Sequence, residues 1–429
     1  MQRKLSFENT PPLSVPLRFF LTAPVFALLA GGLLTWYGSA ALSLRWSPVT
    51  LAITHLLTLG VLTMSMIGAL LQLLQVVVGI ELARIRLTAT VVHAALVPGT
   101  CALVCAFLFA VPLLFQMALV FLAISFGWLF AACLVGMWRI NSVNATFTAM
   151  RLALLALCFT VVLGGLTVGA LTGFVALPLS GLANLHLSWG MIGWLALLVI
   201  GVAYQVVPMF LVTQVYPRRV CRYLATVLFV LLMLWTSSRL LYAVWPWLER
   251  VLSFLLALGL ALFAAVTLGL LRQRKRRVPD TTVRFWYVSA ISLLAACILW
   301  VVTSVFGLLA DTPGVELMLG MLVLIGFGYS VINGMLYKIV PFLIWYQLQT
   351  KLTNLGIKAP SIRKMISDRL AAAQFYAHLL ALCSMMLAAI FPAQFARLAG
   401  MLLMISSCWL WVNLLRAAYF YRANLTIAH

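Results

Sequence analysis

Twelve continuous apolar runs, each about 20 residues or longer and divided by short polar breaks, govern what this chain can fold into. They fall at 18–40, 48–79, 88–112, 116–138, 151–176, 185–213, 223–244, 251–271, 284–309, 315–346, 371–391 and 396–418. In a bilayer a run of this kind satisfies its own backbone polar groups only as a helix. The runs do not alternate between apolar and polar residues, which excludes the strands of an outer-membrane barrel. Composition agrees with this reading: 65% of the chain is apolar and 8% charged, against roughly half and a quarter in soluble domains. Those proportions exclude a soluble fold, and they exclude intrinsic disorder. The expected class is an all-α integral membrane protein with about 12 transmembrane helices, whose first partner is the lipid bilayer.

The 28 Lys and Arg against 7 Asp and Glu give a net charge of +21. If the N-terminus is cytoplasmic, the loops after even-numbered helices are cytoplasmic too. Those loops carry Arg84, Arg86, Arg218, Arg219, Arg222, the run from Arg272 to Arg277, and Lys351, Lys358, Arg363, Lys364 and Arg369. The opposite face carries Arg45, Arg239, Arg250 and Arg397. This asymmetry places both termini in the cytoplasm. The basic excess therefore reads as an orientation signal that also meets anionic lipid, and nucleic acid is not implied as a partner.

The eight cysteines lie almost all within apolar runs and form no CxxC, CxxCH or zinc spacing. Cys101 and Cys105, four apart on one helix face, are expected to be small buried residues. Walker loops, dinucleotide fingerprints, HExxH and nucleophile elbows are absent.

A repeat of 133 residues organises the runs. Gly60 and Gly68 recur as Gly193 and Gly201, and again as Gly326 and Gly334. Gln72 aligns with Gln205 and Lys338, Gln75 with Pro208 and Pro341, and Tyr204 with Tyr337. Arg18, Arg151 and Arg284 share the same offset, as do Gly31-Gly32-Leu33 and Gly164-Gly165-Leu166. Four spans return the chain to its starting side, so the units are parallel and related by a pseudo-threefold axis along the membrane normal. The expected divisions are an N-terminal tail over 1–17, repeats over 18–150, 151–283 and 284–418, and a cytoplasmic tail over 419–429. The stretch from Gly38 to Ser43 faintly resembles a signal-peptide cleavage site. The repeat argues against cleavage, because the first helix is its first element. Glycines eight residues apart lie near one helix face, about 12 Å apart, and let neighbouring helices approach closely.

Five histidines exist: His55, His93, His186, His378 and His429. His55 and His186 open the second and sixth helices at nearly the same depth, five and seven residues before equivalent glycines. Neutral imidazole ligates haem iron or copper, and an ionisable residue within a span is a functional candidate. The plainer alternative is a His bonded to a neighbouring helix. In the third unit Met321 takes the place of His55, as a soft ligand or a core residue, and Leu319 that of His186. His93 and His378 open odd-numbered helices from the cytoplasmic side and are read as structural.

Twelve helices in three four-helix units, with His near the outer ends of helices 2 and 6, resemble the catalytic subunit of the haem–copper oxidases. Closer still is the resemblance to divergent relatives such as the NnrS family. Pro16-Leu17-Arg18-Phe19-Phe20 is similar to that family's opening segment, His55-x4-Gly60 to its helix-2 motif, and His186-x3-Gly190 with Tyr204 and Pro208 to helix 6 of the cbb-type oxidases. The resemblance implies haem b or copper bound through His55 and His186, with Met321 as a further ligand, in the bacterial cytoplasmic (inner) membrane. Two departures limit it. Ile53 and Leu56 stand where the NnrS-type motif has His and Glu, and helices 7 and 10 lack the histidines of an oxygen-reducing centre. The expected role is therefore respiratory, nitric-oxide-stress or cofactor handling without oxygen reduction. Two alternatives stand beside it. One is a transporter whose path is lined by Gln72, Tyr204, Gln205, Asn333, Tyr337 and Lys338, with Pro208 and Pro341 breaking helices. The other is an assembly or self-association partner of a respiratory complex.

Overall fold

A computed structural model describes residues 10–80, 82, 84–138, 144–239, 245–275, 280–353, 356 and 359–426. The expectations for His429 and Lys358, and the end of the basic run at Arg276 and Arg277, lie outside the described residues. Among the described residues there is no strand, and twelve helices are long and apolar enough to cross a membrane. They are α1 (Ser14–Tyr37), α2 (Pro48–Val78), α3 (Ile85–Phe109), α4 (Pro112–Trp138), α5 (Ala145–Leu171) and α6 (Leu179–Leu211). The second half adds α7 (Arg218–Ser238), α8 (Pro246–Arg272), α9 (Thr281–Val305), α10 (Val315–Thr353), α11 (Asp368–Ile390) and α12 (Pro392–Thr426). The chain is a multi-pass membrane protein.

Local chemistry sets several of these starts. Ser47 caps α2 by accepting from the Thr50 amide at 3.2 Å, with Pro48 in the first turn. Asn144, Asp280 and Ser367 cap α5, α9 and α11 in the same way. Some edges differ from the apolar runs. α7 begins at Arg218, not at 223, and α10 continues to Thr353. α12 continues to Thr426, so the described part of the segment expected as a C-terminal tail is helical. Hydropathy registers only the apolar part of a helix, and Arg416, Tyr419, Tyr421 and Arg422 lower it without ending the helix. Nor do Pro208 and Pro341 break their helices, since both lie inside continuous helical segments. Packing against neighbouring helices holds such prolines in place.

The first and last helices are neighbours. α1 packs along α12 at a glycine contact, where a Cβ on Gly31 would fall 2.8 Å from the Gly400 carbonyl oxygen. α3 packs against α4 and α11 against α12 as antiparallel pairs. α2 and α6 are the most enclosed helices, with 89% and 72% of their most apolar windows buried.

Besides a short one at Leu74–Val78 that ends α2, three stretches of wide π-type winding interrupt the inner helices: Leu56–Thr63 in α2, Trp189–Ala196 in α6 and Leu322–Tyr329 in α10. Their starts are 133 residues apart both times. The three helices meet there, and a Cβ on Gly328 of α10 would lie 3.1 Å from Leu62 of α2 and 3.2 Å from Leu195 of α6. In the first and third units the outer contacts of these helices follow twice this spacing: Gly68 lies against Phe19 Cβ at 2.8 Å and Gly334 against Phe285 Cβ at 2.7 Å, measured from the Cβ each would gain, while Gly201 lies against Ala149.

One expectation about cysteine is corrected. Cys101 is exposed and Cys105 half-buried. α3 lies on the perimeter, and an apolar side chain there is as favourable against lipid as in the core, so the sequence pattern does not separate the two.

Gly60 sits where a Cβ would collide with the Phe26 ring, while Gly32 has nothing within 4 Å. Gly60→Ala is expected to lower stability by about 1–3 kcal/mol through overpacking. Gly32→Ala should be neutral or slightly stabilising. Thermal unfolding of the two variants in detergent checks this contrast.

Candidate functional site

The structure brings His55 and His186 together. Their ring centroids lie 6.3 Å apart with planes inclined by 16°. His55 sits at the end of the first α-helical stretch of α2, where the Ser47 cap and the hydroxyl of Thr50 anchor the helix. That hydroxyl donates to the carbonyls of Ala41 at 2.7 Å and Leu44 at 2.9 Å. His186 enters from α6, nine residues before Leu195 at the meeting point of the inner helices.

Each ring is held through the same nitrogen. His55 Nδ1 lies 2.8 Å from the Leu51 carbonyl oxygen, and His186 Nδ1 lies 2.9 Å from the Thr160 carbonyl oxygen of α5. A carbonyl only accepts, so Nδ1 carries the proton in both rings and Nε2 keeps its lone pair. Packing restrains the rings further. Phe107 of α3 lies 5.1 Å from His55, centroid to centroid. Gly164 of α5 leaves the space that His186 occupies, since a Cβ there would lie 3.0 Å from Cε1.

Both histidines line a cavity of about 1400 Å³ with mostly apolar walls, to which α2 to α6 and α8 to α10 contribute most and the other four helices a residue each. Met321 lines the same cavity from α10, as does Leu319. The structure therefore gathers all three residues expected to hold a cofactor. Ser188, midway in register between His55 and Met321, completes that set of wall positions.

Arginines border the cavity at its polar end. Arg45 Nε makes an ion pair with Glu316 of α10 at 3.2 Å, and its Nη2 donates to Asn184 Oδ1 of α6 at 3.2 Å. Its guanidinium also lies over the Trp46 ring. One side chain thus ties the loop before α2 to the first turns of α6 and α10. Arg239 pairs with Glu249 beside Arg250, and all three line the cavity. Three of the four cations expected on the sparsely charged face are therefore cavity residues.

The residues expected to line a transport path are placed elsewhere. Gln72, Tyr204, Gln205, Tyr337 and Lys338 do not border the cavity. Tyr204 donates to the Val220 carbonyl at 3.2 Å, Tyr337 accepts from Asn413 Nδ2 at 3.0 Å, and Lys338 pairs with Asp280 at 2.6 Å. These bonds join α6 to α7, α10 to α12, and α10 to the start of α9. Gln72 is buried with its Oε1 unpartnered, and Gln205 is half-buried. Near Tyr204, the loop residue Tyr216 is buried and bonded to Thr267 Oγ1 at 2.9 Å, and burial pushes its phenol above the ordinary range. His93 also lies away from the cavity, with Nε2 at 2.9 Å from Thr22 Oγ1. His378 is fully buried among α9 to α11.

Sequence reasoning missed Phe107, Thr160 and Arg45 as parts of the site. Thr160 acts through its backbone carbonyl and leaves no side-chain signal. Arg45 registered only as a charge on the sparse face. Gly164 carried a signal, because it belongs to the repeated Gly-Gly-Leu.

Among the described residues no group of three His, Cys, Asp or Glu converges to hold a bare metal ion. The His pair offers two imidazole Nε2 lone pairs beside one cavity, a donor set suited to haem iron or copper. No protein-family model matches the chain, and no curated protein is detectably similar to it.

The Lys338–Asp280 pair is half-buried, and Asp280 also caps α9. Lys338→Met is expected to cost about 1–3 kcal/mol by stranding the carboxylate. Adding Asp280→Asn, which keeps a capping oxygen, should restore part of that loss. A double-mutant cycle on thermal stability measures the coupling.

Proposed function

We propose that this multi-pass membrane protein is a haem-binding protein, holding haem b between His55 and His186 on an oxidase-like frame in the bacterial cytoplasmic membrane, with both termini inside. The frame is three parallel four-helix units about a pseudo-threefold axis. The convergence of Leu62, Leu195 and Gly328 supports it, because three residues spaced by the repeat meet one another only near such an axis.

The observation that carries the haem reading is the pair of near-parallel imidazoles with both Nδ1 groups bonded to carbonyls. A hydrogen bond from the far nitrogen fixes the orientation of a ligating His and raises its basicity. The cavity is larger than the roughly 300–1,000 Å³ of ordinary small-molecule sites, and its apolar walls suit a macrocycle. Arg45, Arg239 and Arg250 supply cations for acidic substituents at the polar end. A copper ion needs further protein ligands beyond two His, and the soft groups at the wall are Met191, Cys297, Met321 and Met385. A haem brings four nitrogen ligands of its own, so two His would suffice to hold it. The large apolar cavity favours haem over copper.

When bound, the haem would supply one-electron chemistry. His55 and His186 are the residues that would hold it. α7 and α10 carry no His. The role is therefore electron or cofactor handling, in respiration or under nitric-oxide stress, alone or beside a respiratory complex. Transport along the predicted polar path has less support, because most of those residues are engaged in helix–helix bonds away from the cavity.

Protein purified in mild detergent from cells supplied with iron and copper is expected to show a low-spin b-type spectrum with about one haem per chain. His55→Ala and His186→Ala should each lower occupancy at least tenfold. Gly164→Val, which pushes His186 aside, should lower it less, and Met321→Leu should leave it unchanged. Copper without a Soret band would replace this reading with the copper one. Neither group would turn the case toward transport.

A further inference from the structure

A second set of polar residues lies in the third unit, on the far side of the helix junction from the histidine pair. His378 of α11 is fully buried. Its Nε2 lies 2.7 Å from Ser330 Oγ of α10, and its Nδ1 lies 3.4 Å from Asn333 Nδ2. Tyr329 and Phe285 pack on the ring at 5.5 and 5.3 Å, and the Tyr329 hydroxyl bonds Ser407 Oγ of α12 at 3.0 Å. One level along, Gln374 Nε2 donates to Ser406 Oγ at 3.1 Å. Beyond that, Asn413 Nδ2 donates to the Tyr337 hydroxyl at 3.0 Å.

The frame does not require these polar groups. At the positions of Tyr329, Ser330 and Asn333 the first unit has Thr63, Met64 and Ile67, and the second has Ala196, Leu197 and Ile200. Polar side chains buried at membrane depth are costly, so their presence in one unit of three calls for a use. The cluster also has unfilled capacity. Asn333 Oδ1, Gln374 Oε1 and Asn413 Oδ1 are each buried without a donor. They occur at successive levels of the three helices, and water is the donor small enough to satisfy them.

The levels connect two places. Ser330 Oγ donates to the Ile325 carbonyl at 3.2 Å, and Ile325 lines the cavity. From Ile325 to Tyr337 is about 18 Å along α10, more than half of a hydrocarbon core of about 30 Å. Tyr337 is followed by Lys338, whose partner Asp280 caps α9 just after the basic run.

We propose that this cluster is a water-filled proton path between the basic-loop face and the floor of the cavity, with His378 as its relay. The ring is placed to accept at one nitrogen and donate at the other. Water bound at Asn333 Oδ1 gives a proton to Nδ1 as Asn333 turns its Nδ2 aside, Nε2 gives one to Ser330 Oγ, and Ser330 gives its own to a water at the cavity floor; the hydroxide left on the entry side is reprotonated from the basic-loop face. Tautomer exchange then restores the ring. The titratable group packed against it is the Tyr329 phenol. The proposal does not depend on what fills the cavity.

The test uses full-length protein in bilayers with ¹⁵N-labelled histidine, read by solid-state NMR, with His378→Gln to assign the signal. The expected result is that the His378 ring proton exchanges into D2O within minutes although the residue is fully buried. Asn413→Leu, far from the ring along the path, should slow that exchange at least tenfold. Asn333→Ile, the residue type of the other two units, should do the same. A wild-type ring proton that persists for hours overturns the proposal, whatever the variants do. So does exchange in Asn413→Leu at the wild-type rate.

Discussion

The rest of the molecule is arranged around the contact of α2, α6 and α10 at Leu62, Leu195 and Gly328. Three helices do not meet at one point if each presents a branched side chain. Two leucines fit because the third member is glycine. The wide winding of all three helices at this level places an extra residue in the turn and redirects the side chains on either side of it. Above the junction, seven residues back along α2 and nine back along α6, His55 and His186 face the cavity. Below it, the polar side chains bond from helix to helix. The junction therefore separates an apolar chamber from a hydrogen-bonded half.

Within the chamber the histidines are prepared by backbone rather than by other side chains. The two carbonyls that hold Nδ1 come from different contexts. Leu51 is one turn back on the same helix, and Thr160 belongs to a neighbouring helix. One ring is therefore set by local helix geometry and the other by the packing of α5 on α6, which Gly164 makes close. The His186 side should be the more sensitive to changes in helix packing. Arg45 adds a restraint of a different kind, since it joins the mouths of all three inner helices through one guanidinium.

Much of this was legible in the sequence. The apolar runs gave twelve helices because a bilayer leaves few other ways to satisfy the backbone. The depth of His55 and His186 could be read from their distance to equivalent glycines, and the structure places the two rings side by side. What could not be read were quantities that depend on partners. Whether Cys101 meets lipid or core is invisible to hydropathy, and so is the continuation of α12 through its Arg- and Tyr-rich end. Tyr204, Tyr337 and Lys338 look like path residues because they are polar in apolar helices. Their partners, Val220, Asn413 and Asp280, are distant in sequence and leave no pattern. His378 was read as structural for the same reason, since Ser330, Asn333 and Ser407 surround it only in the fold.

The third unit differs from the first two on both sides of the junction. Where the first two supply histidines to the chamber, it supplies Met321 and Leu319. Where they have Ile67 and Ile200, it has Asn333. A repeated frame makes such divergence tolerable, because the packing between units is set by the glycines and the winding, and those are kept in all three. Polar groups in one unit then cost stability without endangering the architecture. That asymmetry is what a protein with two linked tasks would need. On the proposed reading the first two units would supply the chamber's ligands, and the third would connect the chamber to one face of the membrane.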